Sequence, residues 1–268
     1  MLSMVMLMRI IIHYRQSIVV MALLQQWLSG HQSLPEHRIM LVALPGVGNV
    51  GKLIIDSLTE SCEAEEVLRL IHPDMPPQAS LDSQGLLSPP HISFHHYEEL
   101  ILVTADGQPV TPSGQHECAL EILKLAKQSS CQHVIILAGM AAAVGEEDVF
   151  LVCSDIETRL ELEQSSADVR RDQPNGGVIG LVGLLSSLGP VVGISSTCAI
   201  STTLGSSADP IAAQRLLASL VSWFDLKLEI PFATMDRMGI HMAMLDGKGV
   251  AGEIPELAEE DNAPMLYS

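Results

Sequence analysis

The chain has 268 residues, long enough for one large α/β domain or two small ones, and we favour a single domain. Hydrophobic residues make up 47% of it and aromatic residues only 3%, so aliphatic side chains and methionine must fill a large core. The formal net charge of −18 argues against nucleic acid as a partner, because phosphate neutralisation needs clustered Lys and Arg. It argues equally against an anionic membrane surface.

Residues 1–30 are an apolar N-terminal extension that we predict to lie outside the fold, before a single α/β domain at residues 31–247. The extension is interrupted by Arg9 and Arg15, and its longest uncharged piece is shorter than the ~20 residues of a membrane span. No small-residue cleavage site is obvious, so we expect no signal peptide. One hypothesis is that translation begins at Met21, and an intact-mass measurement showing Met1 would remove it.

Residues 41–52, LVALPGVGNVGK, are the most informative stretch of the sequence. An apolar run meets a Pro-Gly break and three glycines, which predicts a strand that turns sharply into a helix from about Asn49 to Ser61. The glycines either shape a functional loop or simply let the helix pack closely on the sheet. As a ligand-binding or oligomer-contact loop, the candidate residues are Gly46, Gly48, Asn49, Gly51 and Lys52.

Two phosphate-binding signatures match this loop imperfectly. Gly46, Gly48 and Gly51 satisfy the dinucleotide fingerprint G-x-G-x-x-G, but the acidic residue expected at the end of the second strand is missing, and Asp74 comes too late. The P-loop pattern G-x-x-x-x-G-K-[ST] fails at Leu53, where a hydroxyl must bind magnesium. We therefore do not expect nucleotide hydrolysis.

Strands and helices alternate along the rest of the chain, which predicts an α/β fold with a mainly parallel mixed sheet and helices on both faces. Residues 72–90 are rich in Pro, Ser and Gly and are predicted to be a loop with one hairpin arm at Gly85–Ser88. The predicted partner of that arm is HISFHHY at residues 91–97, in an antiparallel excursion near residues 85–104. Further strands are predicted at residues 66–71, 100–106, 133–140, 149–154 and 189–196.

Helices are predicted at residues 117–128, after Gly177 as far as Leu188, and from Pro210, with Asp209 as N-cap. Between them, residues 155–172 mix acids with two arginines and are predicted to be a surface helix or strand pair. The last helix is predicted to bury an apolar face of Ile211, Leu216, Leu217, Leu220, Val221 and Phe224.

Polar clusters give little support to catalysis or to a metal site. His91 and His95 lie on one face of a strand and His96 on the other, while His72 and His116 would have to approach from elsewhere. Because a metal needs convergent ligands, we predict no metal and no cofactor. The sequence contains no G-x-S-x-G elbow, Ser195, Ser196 and Thr197 are predicted to be turn and cap residues, and we predict no catalytic residues.

Five cysteines are present, an odd number with irregular spacing and no C-x-x-C pair. This arrangement predicts reduced, buried thiols in a cytoplasmic protein rather than a disulfide or zinc framework. The five are Cys62, Cys118, Cys131, Cys153 and Cys198.

Residues 248–268 change character, since they combine five carboxylates with two prolines and cannot bury enough apolar surface to fold alone. We predict a flexible acidic tail. The tail nevertheless ends with Met265, Leu266, Tyr267 and Ser268, an apolar and aromatic ending that a solvated tail does not need.

Several of these motifs together resemble the archaeal branch of the proteasome assembly chaperone two family. LPGVGNVGK, TADGQP at residues 104–109 and NGGVIGLVGLL at residues 175–185 occur in that order, followed by DPIAAQRLLASLV. The resemblance runs from about Ile39 to Ile230. It implies a single α/β domain similar to nucleoside phosphorylases, self-association into a homo-oligomer, and binding to the proteasome core particle rather than catalysis.

Several members of that family end with a hydrophobic residue, then Tyr, then any residue, and this chain ends Leu266-Tyr267-Ser268. The resemblance implies that these residues dock on the alpha subunits of the core. Their chemistry suits such a role. The Ser268 carboxylate can accept charge-assisted hydrogen bonds from a lysine, Tyr267 offers a rigid apolar body, and Leu266 fills a small recess.

Two hypotheses from different classes remain at this point. The first is a non-enzymatic proteasome-binding factor, either an assembly chaperone or an ATP-independent activator, that docks through its tail. The alternative is a nucleoside- or dinucleotide-binding enzyme that uses the glycine loop at residues 46–52. The sequence does not separate chaperone from activator, and it does not tell the subunit number.

Overall fold

The computed structural model describes residues 23–81, 85–205 and 208–250, with backbone alone for residues 245–250. Eight strands form one sheet in the order β1-β3-β6-β7-β2-β8-β10-β9, and β4 pairs with β5 beside it. The strands are β1 Leu24–Trp27, β2 Ile39–Val42, β3 Glu65–Ile71, β4 Ser80–Leu81, β5 Leu87–Ser88, β6 Ile92–Tyr97, β7 Leu100–Ala105, β8 His133–Ala141, β9 Val149–Cys153 and β10 Ser195–Thr203.

The helices lie on both faces of the sheet, as predicted. One face packs against α1, α5 and α6, and the other packs against α2 and α4. The helices are α1 Val50–Ser61, α2 Pro112–Gln128, α3 Ile156–Gln164, α4 Gly180–Val192, α5 Pro210–Phe224 and α6 Phe232–Val250.

The four central strands β7, β2, β8 and β10 are mutually parallel, and the outer pairings are antiparallel. All four residues of β2 are buried. Ile39 and Leu41 join the cluster under α1, whereas Met40 and Val42 join the cluster under α2. Such double coverage explains the uninterrupted apolar sequence of this strand, because neither face meets water.

The strand predicted at residues 189–196 is wrong. Helix α4 continues to Val192 and ends at Gly193, whose φ of 82° is left-handed, and β10 begins only at Ser195. The sequence was misleading because the first residues of β10 are polar. Their hydroxyls are satisfied inside the fold, since Ser196 Oγ donates to the Ser186 carbonyl at 2.7 Å and Thr197 Oγ1 lies 2.8 Å from His133 Nε2.

The predicted partner of the hairpin arm is also wrong. Leu87–Ser88 pairs with Ser80–Leu81, whereas β6 lies between β3 and β7 and pairs with both. Helix α2 begins at Pro112 rather than residue 117, because the Thr111 side chain caps it by accepting from Gly114 N. The antiparallel excursion itself is confirmed.

Two elements at the ends of the domain were not predicted. Strand β1, Leu24–Trp27, pairs with β3 at the sheet edge, so the sheet begins within the segment that we expected outside the fold. Helix α6 follows α5 and runs to Val250. Its buried residues Met235 and Met242 pack into the core, so it is part of the folded body.

All five cysteines are free thiols. Cys118, Cys131 and Cys198 are buried as predicted, whereas Cys62 and Cys153 are only partly buried. Burial raises the pKa of the Cys118 and Cys198 thiols to about 12 and that of Cys131 to about 11. Because the thiolate is the reactive form, these three side chains act as small apolar core residues at neutral pH.

We expect acid to destabilise the protein through His133. Burial lowers the pKa of this imidazole to about 4. Between pH 6.5 and about pH 4, His133 therefore stays neutral in the folded chain but takes up a proton in the unfolded chain. Stability is therefore lost as pH falls from about 6.5 to about 4, by about 3 kcal/mol from this residue. Urea unfolding at pH 7 and pH 4.5 should show a smaller pH-dependent loss for His133→Asn than for the wild type, and equal losses would contradict this.

Candidate functional site

The glycine loop lies where the chain changes direction across the sheet. Strand β2 has β7 on one side and β8 on the other, and the loop leaves its carboxyl end to enter α1. In open α/β sheets, the crevice outside the carboxyl ends of the strands at such a switch point is the usual place for ligands. The topology therefore makes this end of the sheet the candidate functional site.

Close packing accounts for two glycines at this end. A Cβ on Gly51 would lie 2.4 Å from the Leu137 carbonyl oxygen, and one on Gly139 would lie 2.1 Å from the Val47 carbonyl oxygen. Real Cβ atoms do not approach backbone oxygens this closely, so α1 and its preceding turn sit against β8 at a distance that only glycine permits.

The middle of the loop is shaped by backbone conformation. Gly48 has a φ of 63° and packs against Thr203, and Asn49 is also left-handed with a φ of 45°. Asparagine tolerates that conformation, and its Oδ1 accepts a hydrogen bond from Gly46 N at 3.3 Å. The residue types of this motif are thus explained by turn geometry and contact with β10.

Gly46 differs from the other two glycines of the motif, because a Cβ there would meet nothing closer than 3.8 Å. It borders a crevice of about 290 Å³ between the loop and the segment around Val178 and Ile179. At this crevice the loop leaves room for a ligand.

Lys52 points away from that crevice, into a separate cavity of about 380 Å³. Its Nζ lies 2.8 Å from Asp56 Oδ2 and 3.1 Å from Asp106 Oδ1, and Thr104 Oγ1 donates to Asp56 Oδ1 at 2.9 Å. Burial alone lowers the pKa of Lys52, but the two carboxylates outweigh it and raise the pKa above its ordinary value. The five candidate loop residues therefore do not converge on one ligand.

Two of the predicted histidines, His91 and His95, line the Lys52 cavity. His91 Nδ1 lies 2.7 Å from the Pro89 carbonyl and its Nε2 lies 3.5 Å from Glu66 Oε1. Burial acts to raise the pKa of Glu66, but His91 and Arg69 outweigh it and lower the pKa to about 2. His91, on the wall of the cavity, therefore joins the ion-pair network of Glu66 and Arg69 behind it.

The other histidines lie elsewhere. His72 Nε2 is 3.2 Å from Glu117 Oε2, and His116 borders a third crevice near Cys198. Among the side chains described, those of residues 23–81, 85–205 and 208–244, no three of His, Cys, Asp or Glu are grouped closely enough to hold a metal ion.

Sequence reasoning missed a group of exposed apolar side chains at this end of the sheet, which we call the apolar rim. Each lies in or beside a loop at the carboxyl ends of the central strands, and between 42% and 89% of each is exposed. Single apolar residues in scattered loops give no periodic signal, so only the fold reveals the group. Its members are Val47, Val110, Val144, Ile179, Leu204 and Ile211.

Ile211 corrects a prediction, since we expected it on the buried face of its helix. The other residues of that predicted face are buried or partly buried, whereas Ile211 is 62% exposed in the first turn of α5. Asp209 and Pro210 do begin this helix as predicted, and the Asp209 side chain accepts from Ala212 N at 2.9 Å.

The predicted docking residues Leu266, Tyr267 and Ser268 lie outside the described residues. Helix α6 precedes these residues in the chain. Along its length it contacts first Glu60, at the end of α1, and then Pro210, at the start of α5. None of the helices in the described ranges combines the length and apolar character that a membrane span needs.

The family model described as the PAC2 family matches residues 40–235. In addition, an uncharacterised protein of Methanocaldococcus jannaschii is 28% identical over 185 residues, which are 68% of this chain and 72% of that protein. The sequence likeness therefore covers nearly all of the folded body from β2 to the start of α6.

Two solved structures from Pyrococcus furiosus have the same fold. PbaB, described as an archaeal proteasome activator, matches with a TM-score of 0.72 and 21% identity over 86% of this chain and 99% of PbaB. PbaA, described as an archaeal homolog of proteasome-assembly chaperone, matches with a TM-score of 0.68 and 22% identity over 85% of this chain and all (100%) of PbaA. With the family model spanning most of the folded chain, this protein belongs to the PAC2 family.

Proposed function

We propose that this protein binds the proteasome core particle through its C-terminal residues and acts there without catalysis, as an assembly chaperone or an ATP-independent activator. Membership of the PAC2 family carries the proposal, and the fold shared with PbaB and PbaA supports it. The likeness to these two proteins is nearly equal, so it favours neither role over the other.

The position of α6 supports docking through the tail. Met235 and Met242 hold the helix in the core, and residues 251–268 follow its last turn. A flexible tail of that length spans about 20–25 Å on average, enough to reach a pocket on a partner. The free carboxylate of Ser268 would pair with a lysine in such a pocket, and Tyr267 would pack beside it.

Several tails on one assembly would strengthen the interaction. A single three-residue contact binds weakly, but tails held together in a homo-oligomer raise the effective concentration of each. We therefore propose that the protein acts as a homo-oligomer on the alpha subunits of the core. A role without catalysis is supported by the ion pair that engages Lys52 and Asp56 in the cavity beside α1.

Native mass spectrometry with the cognate proteasome core tests the proposal. We expect the full chain to bind and a chain lacking residues 266–268 to lose binding. A chain lacking residues 257–259 is the matched control, because it shortens the tail equally and keeps its ending. Loss of binding without residues 266–268 would make the tail the docking element, and peptide hydrolysis by the complex would then separate activator from chaperone. Binding at full strength by the chain without residues 266–268 would overturn docking through the tail.

The crevice beside Gly46 favours a second candidate, binding of a nucleoside or dinucleotide. It lies at the switch point of the sheet and has a volume of about 290 Å³. A rise in melting temperature with nucleosides, dinucleotides or phosphate, abolished by Ile179→Trp at the mouth of the crevice, would support this candidate. Unchanged melting with all of these compounds would remove it.

A further inference from the structure

The apolar rim is the most exposed apolar surface that the described residues present at the carboxyl end of the sheet. Val144 is 87% exposed and Ile179 is 89% exposed, so neither side chain covers the hydrophobic core. Exposed apolar side chains that occur singly are ordinary, but a group from several separate loops at one end of a domain marks an interaction surface.

Contacts between the loops show that the rim is continuous around β2, β8 and β10. The Val47 side chain lies beside Gly205, which follows Leu204, and Ala142 N donates to the Thr203 carbonyl at 2.9 Å. Val47 and Ile179 border the same crevice. The loops after these strands therefore form one surface rather than isolated projections.

Acidic side chains lie among the apolar ones. Asp106 is in the loop after β7, and its side chain is 88% exposed. Glu147 is in the loop after β8, and its side chain is 69% exposed although it pairs with Arg215. A complementary partner would therefore be apolar with basic groups around it. A second copy of this chain applied through the same face would bring Asp106 and Glu147 against like charges.

Helix α6 brings the tail out at the same end. Gly239 lies against Pro210 and Leu53, which are in the first turns of α5 and α1 beside the rim. The eleven residues that follow Gly239, as far as Val250, add about 16 Å of helix. A partner that holds the end of the tail would therefore lie within reach of the rim.

We propose that the apolar rim is the face that this protein applies to the proteasome core, against an apolar patch with basic residues next to the pocket that takes the tail. This inference rests on the proposed function, because it assigns the surface around the tail to the same partner. The rim adds contact area that a three-residue motif lacks, and it sets the orientation of the protein on the core.

Binding of rim variants to the cognate core tests the inference. We expect the double variant Val144→Asp/Ile179→Asp to bind about tenfold more weakly, because a carboxylate buried at the contact loses its hydration. The matched control is Ile156→Asp/Val191→Asp, two residues at the opposite end of the sheet with 67% and 78% exposure. We expect the control to bind like the wild type and all variants to keep the melting temperature and subunit number.

The outcomes separate the two proposals. If the chain lacking residues 266–268 loses binding while the rim variant binds like the wild type, the rim inference is wrong and the docking proposal stands. If no form of the full chain binds, both fail together. If the rim variant falls to a lower subunit number in the absence of the core, the rim is a contact between copies of this chain, and the inference is overturned.

Discussion

Replacing Gly51 by alanine should lower the free energy of unfolding by about 3 kcal/mol or more. A Cβ at this position would lie 2.4 Å from the carbonyl oxygen and 2.8 Å from the Cβ of Leu137 in the central strand β8. Neither backbone can move without breaking helix or sheet hydrogen bonds, so α1 must shift away from the sheet. Urea unfolding followed by far-UV circular dichroism measures the loss.

Gly46→Ala is the matched control in the same motif. Gly46 is extended, with a φ of −166°, and its nearest neighbour to an added Cβ is 3.8 Å away. We expect this variant to stay within about 1 kcal/mol of the wild type. Equal losses for both glycines would contradict the packing explanation, whereas a stable Gly46→Ala variant that fails in a nucleotide thermal shift would show that the loop serves a ligand.

Replacing Lys52 by methionine should cost about 3 kcal/mol, because it leaves the Asp56 carboxylate in a poorly hydrated wall without its cation. The Lys52 side chain is only 13% exposed and that of Asp56 only 19% exposed. Asp106 is mostly in water and should contribute little to the loss. Chemical denaturation of the variant at neutral pH measures the effect.

A second variant identifies the cause of that loss. Lys52→Met/Asp56→Asn removes both charges, and an amide at position 56 can still accept the hydrogen bond from Thr104 Oγ1. We expect it to recover at least half of the loss, and Lys124→Met, at a pair on an exposed helix face, should change stability by less than about 0.5 kcal/mol. No recovery in the double variant would mean that Lys52 stabilises the fold by packing instead.

Elements buried on both faces were predictable because their signal is local. Strand β2 is an uninterrupted apolar run, and β7 and β8 each contain a single polar side chain, Thr104 and His133. Asp209-Pro210 marks a helix start by its chemistry alone. Strand β10 was misplaced because its hydroxyls look like loop residues until Ser186 and His133 are seen beside them. Partners that are distant in sequence decide such cases.

The glycine motif shows the same limit at the candidate site. Its spacing predicted a tight turn from strand to helix, but a phosphate-binding turn and a closely packed one share that spacing. The distances from Gly51 to Leu137 and from Gly48 to Thr203 explain two glycines by packing, and the direction of Lys52 separates it from the rest. Which neighbours a glycine meets depends on strands that are about 90 and 150 residues away in the chain.

Composition and local periodicity were enough to predict an α/β domain and the acidic character of residues 248–268, because both depend on neighbours within a few residues. The family was predicted from its resemblance to four motifs in their order along the chain. The apolar rim, the direction of α6 and the separation of Lys52 from the glycine crevice arise from loops and helices that are remote in sequence. Side chains from loops that are remote in sequence form one surface only after the sheet has brought the carboxyl ends of its strands together.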